Sequence, residues 1–294
     1  MNFQLYIKRT ALSVAVCTVL LSACKKSDNP NNLPDVDPSD YEGTIDGYRS
    51  ADEIYPANLK AYWNFDDTKN EIKSGTAPTQ TANDTFVQGV KGKAIKLDAG
   101  YLYYAKQFGA FKTDSLKSFT ISAWIQITNN GSKRTMLMQI TRPGVFEGSF
   151  DFRLNTNNFP ASNTDVIKVG PRFSTVGGGS QDNLNATLSP KIGADVWTHL
   201  VLTYDSSTGI FKEWGNGVDI GSYNNRGTGN NLFKAYEPSE FIIGGNYNVI
   251  PGKSINSDVS FAAMTGSIDE LRIFNTVLPE AHIKALYNLG KAGK

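Results

Sequence analysis

The stretch that decides the fold is SFTISAWIQIT, residues 118–128. Its side chains alternate between two faces with a period of two, which indicates a β-strand. One face is entirely apolar and consists of Phe119, Ile121, Ala123, Ile125 and Ile127. The opposite face is polar except for Trp124, so this residue needs its own explanation. Either the indole is a platform for a ligand, or another part of the fold covers it.

The same alternation recurs along most of the chain. Strand-like segments are LKAYWNF (59–65), KAIKL (93–97), YLYYA (101–105), TMLMQIT (135–141), SFDFRLN (149–155), VIKVGPRF (166–173), WTHLVLTYD (197–205), IFKEWGNGVDIG (210–221), EFIIGG (240–245) and GSIDELRIF (266–274). Residues 98–100 are interpreted as a turn between two strands, and Asn216-Gly217 as a hairpin turn. Many short strands joined by Gly, Asn and Pro turns predict an all-β, two-sheet antiparallel sandwich.

One helix signal lies at the C-terminus. Pro279 suits a first helical position, and Gly290 suits the residue just past a helix end. Ile283, Leu286 and Tyr287 share a face between them. These features predict a short C-terminal helix.

Residues 1–23 have the order of a bacterial lipoprotein signal peptide. Lys8 and Arg9 precede the apolar run TALSVAVCTVLL (10–21), which is shorter than the about 20 residues of a membrane-spanning helix. LSAC (21–24) follows and resembles a lipobox, in which the cysteine is lipidated. The alternative is an ordinary signal peptide with an incidental cysteine, and the order of basic, apolar and small residues argues against it. Cys24 is therefore expected to anchor the mature chain, because each buried CH₂ contributes about 0.8 kcal/mol.

The anchor is expected in the outer membrane, because Lys25 and not aspartate follows Cys24. Which leaflet it occupies stays open. Residues 24–55 are rich in Asp, Asn and Pro and poor in large aliphatic residues, so they are predicted to form a flexible tether with a reach of roughly 30 Å. Residues 56–294 are then the globular domain.

Charge and cysteine content exclude several classes of function. The chain has 29 basic and 28 acidic residues and no basic run, so nucleic acid is not expected as a partner. Cys17 leaves with the signal peptide and Cys24 carries lipid, so no thiol remains for a disulfide or a nucleophile. With only His199 and His282 besides, neither a His/Cys zinc site nor Cys-His catalysis is expected.

Several of these segments together carry a family resemblance. In order, SFTISAWIQI, WTHLVLTYD, EWGNGVDIG, FIIGG and GSIDELRIFNTVLPEAHIKALYN resemble the laminin-G-like jelly-roll domains of the concanavalin A-like lectin/glucanase superfamily. The resemblance covers roughly Leu59 to Leu289 and implies jelly-roll topology, with glycan binding as a common role. A tryptophan at position 124 belongs to the general family pattern, so the resemblance favours a packing role for Trp124 over a sugar platform.

The glucanase branch of this superfamily uses two carboxylates about 5 Å or 6.5–9.5 Å apart. Asp269 and Glu270 are adjacent, so a regular strand points them to opposite faces. Asp151 has Arg153 as its same-face neighbour. No catalytic residue is assigned, and an enzyme is not favoured, although two acids from different strands stay open.

Binding residues are sought on polar strand faces and in loops. Trp124, Asp151 and Arg153 are the carbohydrate-binding candidates, because sugar recognition combines an aromatic ring with planar polar groups. Three loops rich in Asn and aromatic residues, 155–163, 222–238 and 246–257, offer the same chemistry.

A metal site is a separate hypothesis. On period two, Asp269 shares a face with Leu271 and Ile273, where a carboxylate is costly unless it is paired or metal-bound. If the terminal strands are neighbours, Asp269 and Asp67 lie at one rim and suit a structural calcium ion. Hydrogen bonding to backbone amides in a turn is the favoured alternative.

Together these features predict an outer-membrane lipoprotein whose jelly roll binds a glycan or polysaccharide without catalysis. The alternative is a protein-interaction or structural accessory subunit of an outer-membrane complex. A glycosidase or polysaccharide lyase is the third hypothesis.

Overall fold

The computed structural model describes residues 42–106, 108–112, 115–129, 133–155, 162–183, 188–237 and 239–294. Residues 43–294 form one compact unit. Cys24, the predicted signal peptide and most of the predicted tether lie outside the described residues. No helix among the described residues is long and apolar enough to cross a bilayer.

The described residues form thirteen β-strands and one α-helix. The strands are β1 (Leu59–Trp63), β2 (Gln80–Gln88), β3 (Lys93–Tyr104), β4 (Phe119–Gln126), β5 (Thr135–Thr141), β6 (Phe150–Asn155), β7 (Lys168–Ser174), β8 (Ser180–Asp182), β9 (Thr198–Asp205), β10 (Ile210–Gly215), β11 (Val218–Ser222), β12 (Glu240–Ile243) and β13 (Met264–Phe274). The helix is α1 (Glu280–Lys291). Short 3₁₀ helices span Ala51–Glu53, Gly109–Phe111, Gly229–Asn231 and Tyr247–Val249.

The strands pair antiparallel in one continuous, curled sheet. Their order is β11-β10-β9-β4-β13-β3-β12-β5-β6-β7-β8, with β1 added to β13 and β2 added to β3. The sheet folds over on itself, and its two layers enclose the main core. The predicted all-β, antiparallel jelly-roll sandwich with a short C-terminal helix is thus confirmed.

The apolar face of β4 lies in this core, as its alternation predicts. The phenyl ring of Phe119 is buried, and its centroid is 5.3–5.9 Å from four other aromatic rings. These rings belong to Phe150, Tyr204, Phe211 and Phe233. Edge and tilted contacts at these separations are the favourable arrangements of aromatic pairs, so they join both layers around Phe119.

Strand β13 lies at the centre of the sheet and is bonded to three strands. Its first half pairs with β3, most of its length pairs with β4, and its end pairs with β1. The β1 pairing aligns Trp63 with Leu271 and confirms that the terminal strands are neighbours.

Two turn predictions have different outcomes. Asn216-Gly217 does form the β10–β11 hairpin turn, with φ values of 52° and 76°. The turn predicted at residues 98–100 is wrong, because β3 runs straight through this segment. Ala99 has a φ of 51°, and the pairing of β3 with β2 shifts register here, so the irregularity is a β-bulge.

The helix also ends later than predicted. Pro279 is its N-cap residue, but α1 continues to Lys291 and includes Gly290. Gly290 lies against Trp124, where an added Cβ would come within 2.5 Å of the indole Nε1. Close approach to the ring, not helix termination, explains this glycine.

Helix α1 covers the outer face of β4. The rings of Tyr287 and Trp124 stack with centroids 5.6 Å apart and planes 20° apart. Trp124 is 4% exposed as a result. Ile283 and Leu286 of the helix lie in a second apolar cluster with Val201 of β9.

The chain that precedes β1 packs on the same helix. Ala51 and Ile54 are buried in the cluster that holds α1, and Ile45, Tyr48 and Tyr55 pack against it. The segment from Gly43 to Tyr55 therefore packs on the domain predicted to begin at residue 56.

Replacing Gly290 with alanine tests whether α1 packs directly on the Trp124 ring. Alanine is the better helix former by about 1 kcal/mol, yet its methyl group would meet the buried Trp124 ring. We expect Gly290→Ala to lower the free energy of unfolding by about 1–3 kcal/mol in urea denaturation. Lys284→Ala, at an exposed site on the same helix, is the control and should change it by less than about 0.5 kcal/mol. A Gly290→Ala variant that is more stable than the native protein would contradict the close packing of α1 on Trp124.

Candidate functional site

A groove of about 650 Å³ opens where β5 and β7 end and β8 begins. Its described lining comes from three parts of the chain: Arg142 after β5, residues 172–180 around the β7–β8 turn, and residues 234–237 of a long loop. A second groove, of about 580 Å³ beside Pro56, has no aromatic ring in its described lining. The first groove has such a ring, Tyr236, together with charged and hydroxyl side chains, and ligand recognition commonly combines these groups.

The floor of this groove is polar and buried. Arg172 and Ser174 lie on one face of β7, and Thr175 follows them. They are 7%, 8% and 5% exposed. The Thr175 hydroxyl accepts a hydrogen bond from the Gly179 amide at 3.1 Å, which holds the glycine-rich turn closed.

One wall of the groove is built on Tyr236. The Arg142 guanidinium carbon lies 4.4 Å from the centre of the Tyr236 ring. The Ser174 hydroxyl donates to the Tyr236 hydroxyl oxygen at 2.8 Å. A guanidinium over an aromatic face is attracted by the ring quadrupole, so Tyr236 braces Arg142 from below and is itself fixed from the floor.

Arg172 is held from behind the groove. One terminal nitrogen is 2.6 Å from a carboxylate oxygen of Glu147, and the other donates to the Gly148 carbonyl at 2.7 Å. Two of the five N–H donors of the guanidinium make these contacts. Glu147 lies outside the groove lining, so Arg172 presents a fixed cation at the groove floor.

The predicted pair Asp151 and Arg153 lies next to this network and supports it. Asp151 is directly opposite Arg172 in the β6–β7 register. The Arg153 guanidinium contacts Asp182 at 2.7 Å, Glu147 at 3.3 Å and Asp151 at 3.4 Å. The structure thus brings the pair together, but Asp151 is 0% exposed and Arg153 is buried. Neither residue lines the groove. Arg153 contacts Glu147, and Glu147 contacts Arg172 at the groove floor.

The carboxylate of Asp151 is satisfied internally. One oxygen accepts from the Gln139 side-chain amide and from the Gly148 backbone amide, both at 2.8 Å. Burial raises the pKa of Asp151, and the charge of Arg153 opposes this shift. Its role in the structure is to fix the turn that carries Gly148.

Trp124 does not offer an open platform for a sugar. Its ring lies between α1 and the sheet, with the His199 ring 5.0 Å away. This placement replaces the ligand-platform interpretation with packing. His199 Nε2 is 2.8 Å from the Ser122 hydroxyl, while Nδ1 has no hydrogen-bond partner in the described residues. Burial lowers the pKa of His199 to about 3, and among the described residues no carboxylate bonds its Nδ1, as a catalytic triad requires.

The prediction that Asp269 shares a face with Leu271 and Ile273 is wrong, because β13 contains a bulge. Pairing shifts between Asp269 and Arg272, and Glu270 has a φ of 52°. Asp269 therefore lies opposite Trp124, on the outer face, and not beside Leu271 in the core. The bulge inserts one residue, which reverses the faces that a strict period of two predicts.

The carboxylate of Asp269 holds a turn. Its Oδ2 accepts from the amides of Val90 at 2.8 Å and Lys91 at 3.2 Å, as the hydrogen-bonding alternative predicted. Burial, and next the charge of Glu270, raise the pKa of Asp269 to about 7. Asp67 is exposed and pairs with Lys93 at 2.5 Å. The described residues contain no group of three or more His, Cys, Asp or Glu that fits a metal, so calcium stays a prediction.

Of the predicted loops, 222–238 contributes to the groove through Lys234, Tyr236 and Glu237. Loop 246–257 packs Tyr247 and Ile250 on the sheet, and most of loop 155–163 lies outside the described residues. Arg142 and Arg172 were not predicted as site residues. No local motif marks them, because 30 positions or more separate each contributor in sequence.

The family model described as the concanavalin A-like lectin/glucanases superfamily matches residues 103–284, which is more than half of the chain. No curated protein matches the sequence significantly.

Solved structures share the fold at low sequence identity. The binding domain of Paraclostridial mosquitocidal protein 1 matches with a TM-score of 0.54 and 17% identity, over 79% of this chain and 52% of that one. The binding domain of botulinum neurotoxin DC in complex with SialylT matches with a TM-score of 0.52 and 15% identity, over 81% and 52%. In complex with rat synaptotagmin II, that domain gives 0.50 and 14%, over 79% and 52%. The chain thus spans about half the length of these structures.

Glu213 gives a pH-dependent test of the core. It is fully buried, accepts a hydrogen bond from the Tyr223 hydroxyl at 2.8 Å, and has its pKa raised by burial to about 8. Between an unfolded pKa of about 4.5 and pH 8 the folded state holds the extra proton, so stability falls as pH rises through this range.

We expect Glu213→Gln to remove this contribution. The free energy of unfolding of the native protein, minus that of the variant, should fall by up to about 1.4 kcal/mol per pH unit between pH 5 and 8. Urea denaturation across this range measures it, with Glu237→Gln as the exposed control. A difference that is flat with pH would show that Glu213 is ionised in the folded core.

Proposed function

Because the chain belongs to the concanavalin A-like lectin/glucanase superfamily, we propose that it is a carbohydrate-binding protein without catalytic activity of its own. The observation that carries this proposal is the groove lined by Arg142 and Tyr236, with its buried hydroxyl and guanidinium floor. That a similarly folded neurotoxin domain forms a complex with SialylT supports a role in glycan recognition.

The groove suits a saccharide in size and in chemistry. Its volume of about 650 Å³ lies within the roughly 300–1,000 Å³ of small-molecule sites. Sugar hydroxyls both donate and accept hydrogen bonds, and the lining offers both partners: the guanidinium of Arg142 donates, and the carboxylate of Glu237 accepts. The groove floor is fixed by its own contacts, so little ordering entropy is lost when a ligand binds.

Binding without hydrolysis is supported by the acids at the groove. Glycoside hydrolysis requires two carboxylates across the scissile bond. The described lining of the groove contains a single one, Glu237. The neighbouring carboxylates of Glu147 and Asp182 are bound by arginines in the network behind it.

We place this binding domain at the outer membrane, held by lipid on Cys24. The support is the lipobox-like LSAC and the tether-like composition that follows it. A flexible tether would lift the groove clear of the membrane surface, where polymers are accessible.

Tyr236→Ala tests the groove. The substitution removes the ring that supports Arg142 and one wall of the groove. We expect the affinity for a polysaccharide that retards the native protein to fall about tenfold or more, which corresponds to about 1.4 kcal/mol of binding free energy. Affinity electrophoresis of the protein through gels that contain plant or host polysaccharides measures this change.

Tyr48→Ala is the matched control, since Tyr48 packs against the α1 cluster and does not line the groove. Thermal denaturation of both variants separates binding from folding. Equal retardation of Tyr236→Ala and the native protein would contradict the assignment of the groove. If no polysaccharide retards the native protein and a protein partner is captured from solubilised membranes, the accessory-subunit alternative replaces carbohydrate binding.

Cys24→Ala tests the anchor. Without the thiol no lipid can be attached, so we expect the protein to move from the detergent phase to the aqueous phase in Triton X-114 partition. Cys17→Ala, in the apolar run, is the control and should stay in the detergent phase. Partition of Cys24→Ala into detergent would contradict lipid anchoring at this residue.

A further inference from the structure

The ionic groups that line the groove are mostly cations. Arg142, Arg172 and Lys234 carry positive charge, and Glu237 is the only carboxylate in the described lining. Arg142 and Lys234 are exposed at the rim, whereas Arg172 is buried in the floor. The carboxylates that balance the buried arginines lie behind the groove and outside its lining.

The two arginines are also held in fixed orientations. The plane of Arg142 is supported by the Tyr236 ring, and Tyr236 is held by the Ser174 hydroxyl. Arg172 is fixed by Glu147 and by the Gly148 carbonyl. A guanidinium that is fixed before binding loses less side-chain entropy when its N–H fork meets a ligand.

The guanidinium of Arg142, oriented in this way, can face a planar carboxylate with two N–H donors. Two parallel N–H···O bonds to a carboxylate are charge-assisted and roughly twice as strong as bonds to neutral hydroxyls. A neutral sugar would place no carboxylate opposite the exposed cations at the rim, Arg142 and Lys234.

We propose that this groove selects saccharides that carry a carboxylate, such as uronic acid units, over neutral saccharides. The proposal rests on the carbohydrate-binding function proposed above and names its ligand class. Arg142 is the specificity-determining residue that receives the carboxylate, Arg172 forms the fixed floor beneath it, and Lys234 adds charge at the rim.

The test compares carboxylated polymers with neutral ones on the lipid-free mature chain in 0.15 M NaCl. The probes are polygalacturonate, alginate and hyaluronate. The matched neutral probe is fully methyl-esterified polygalacturonate, which keeps the sugar backbone and lacks the charge. Dextran sulfate is the probe for charge without a carboxylate.

We expect at least one carboxylated polymer to bind tenfold or more tightly than the neutral and sulfated probes. Arg142→Gln should reduce this affinity about tenfold and bring it close to the affinity for the methyl ester, so that the preference for the carboxylate is lost. Arg142→Lys keeps the charge and loses the fork, so it should resemble Arg142→Gln. Lys284→Gln, an exposed charge on α1, is the charge-matched control and should behave as the native protein.

Each other result overturns the proposal. Equal or better binding of the methyl ester, with sensitivity to Tyr236→Ala, would retain carbohydrate binding and exclude carboxylate selection. Stronger binding of dextran sulfate, or full affinity in Arg142→Lys, would show non-specific charge attraction. Retention of no saccharide at all would overturn the proposed function together with this inference.

Discussion

The central strands β4 and β13 are buried on both faces, and this constraint shapes the rest of the molecule. Their inner faces form the core between the two layers. Their outer faces carry Trp124 and Arg272, which a simple two-layer sandwich would leave in water. Helix α1 covers Trp124, and its glycine at position 290 permits the close approach of helix and ring.

Arg272 explains why the chain before β1 belongs to the fold. Its guanidinium is buried, pairs with Glu270, lies over the Tyr62 ring and contacts Asp52 at 2.8 Å. Glu270 balances the buried charge of Arg272, and Asp52, which is partly exposed, adds a second carboxylate from the chain before β1. Asp52 comes from the segment that packs on α1, so a charge in the last strand and an apolar helix face together hold the N-terminal segment.

On the other side of the molecule, buried charge is arranged around a ligand-sized groove. Burying Asp151 and Arg153 in a sheet face is costly and gains little stability over apolar side chains of the same volume. Their contacts do fix Glu147 and Gly148, and these hold Arg172 at the groove floor. The network therefore positions Arg172 at the groove, and this positioning is a physical reason for burying charges that add little stability. The fold alone does not specify a ligand, since the same sandwich carries many functions.

The sequence by itself determined which residues face the core of each regular strand, because side chains alternate with a period of two wherever the ladder is regular. It also determined the Asn216-Gly217 hairpin, whose positive φ values suit these residue types, and the terminal helix. It did not determine where the ladder breaks. The bulges at Ala99 and Glu270 arise from pairing with neighbouring strands, and the second one moved Asp269 to the outer face.

Only the tertiary structure decided what covers an outer face and what meets in a groove. Trp124 could be identified as exceptional from SFTISAWIQIT, but its cover is a helix more than 150 positions later in the chain. Arg142, Arg172 and Tyr236 come together only when β5, β7 and a long loop converge. Alternation describes each strand alone, whereas a binding site depends on contacts between segments distant in sequence, and no local pattern encodes those contacts.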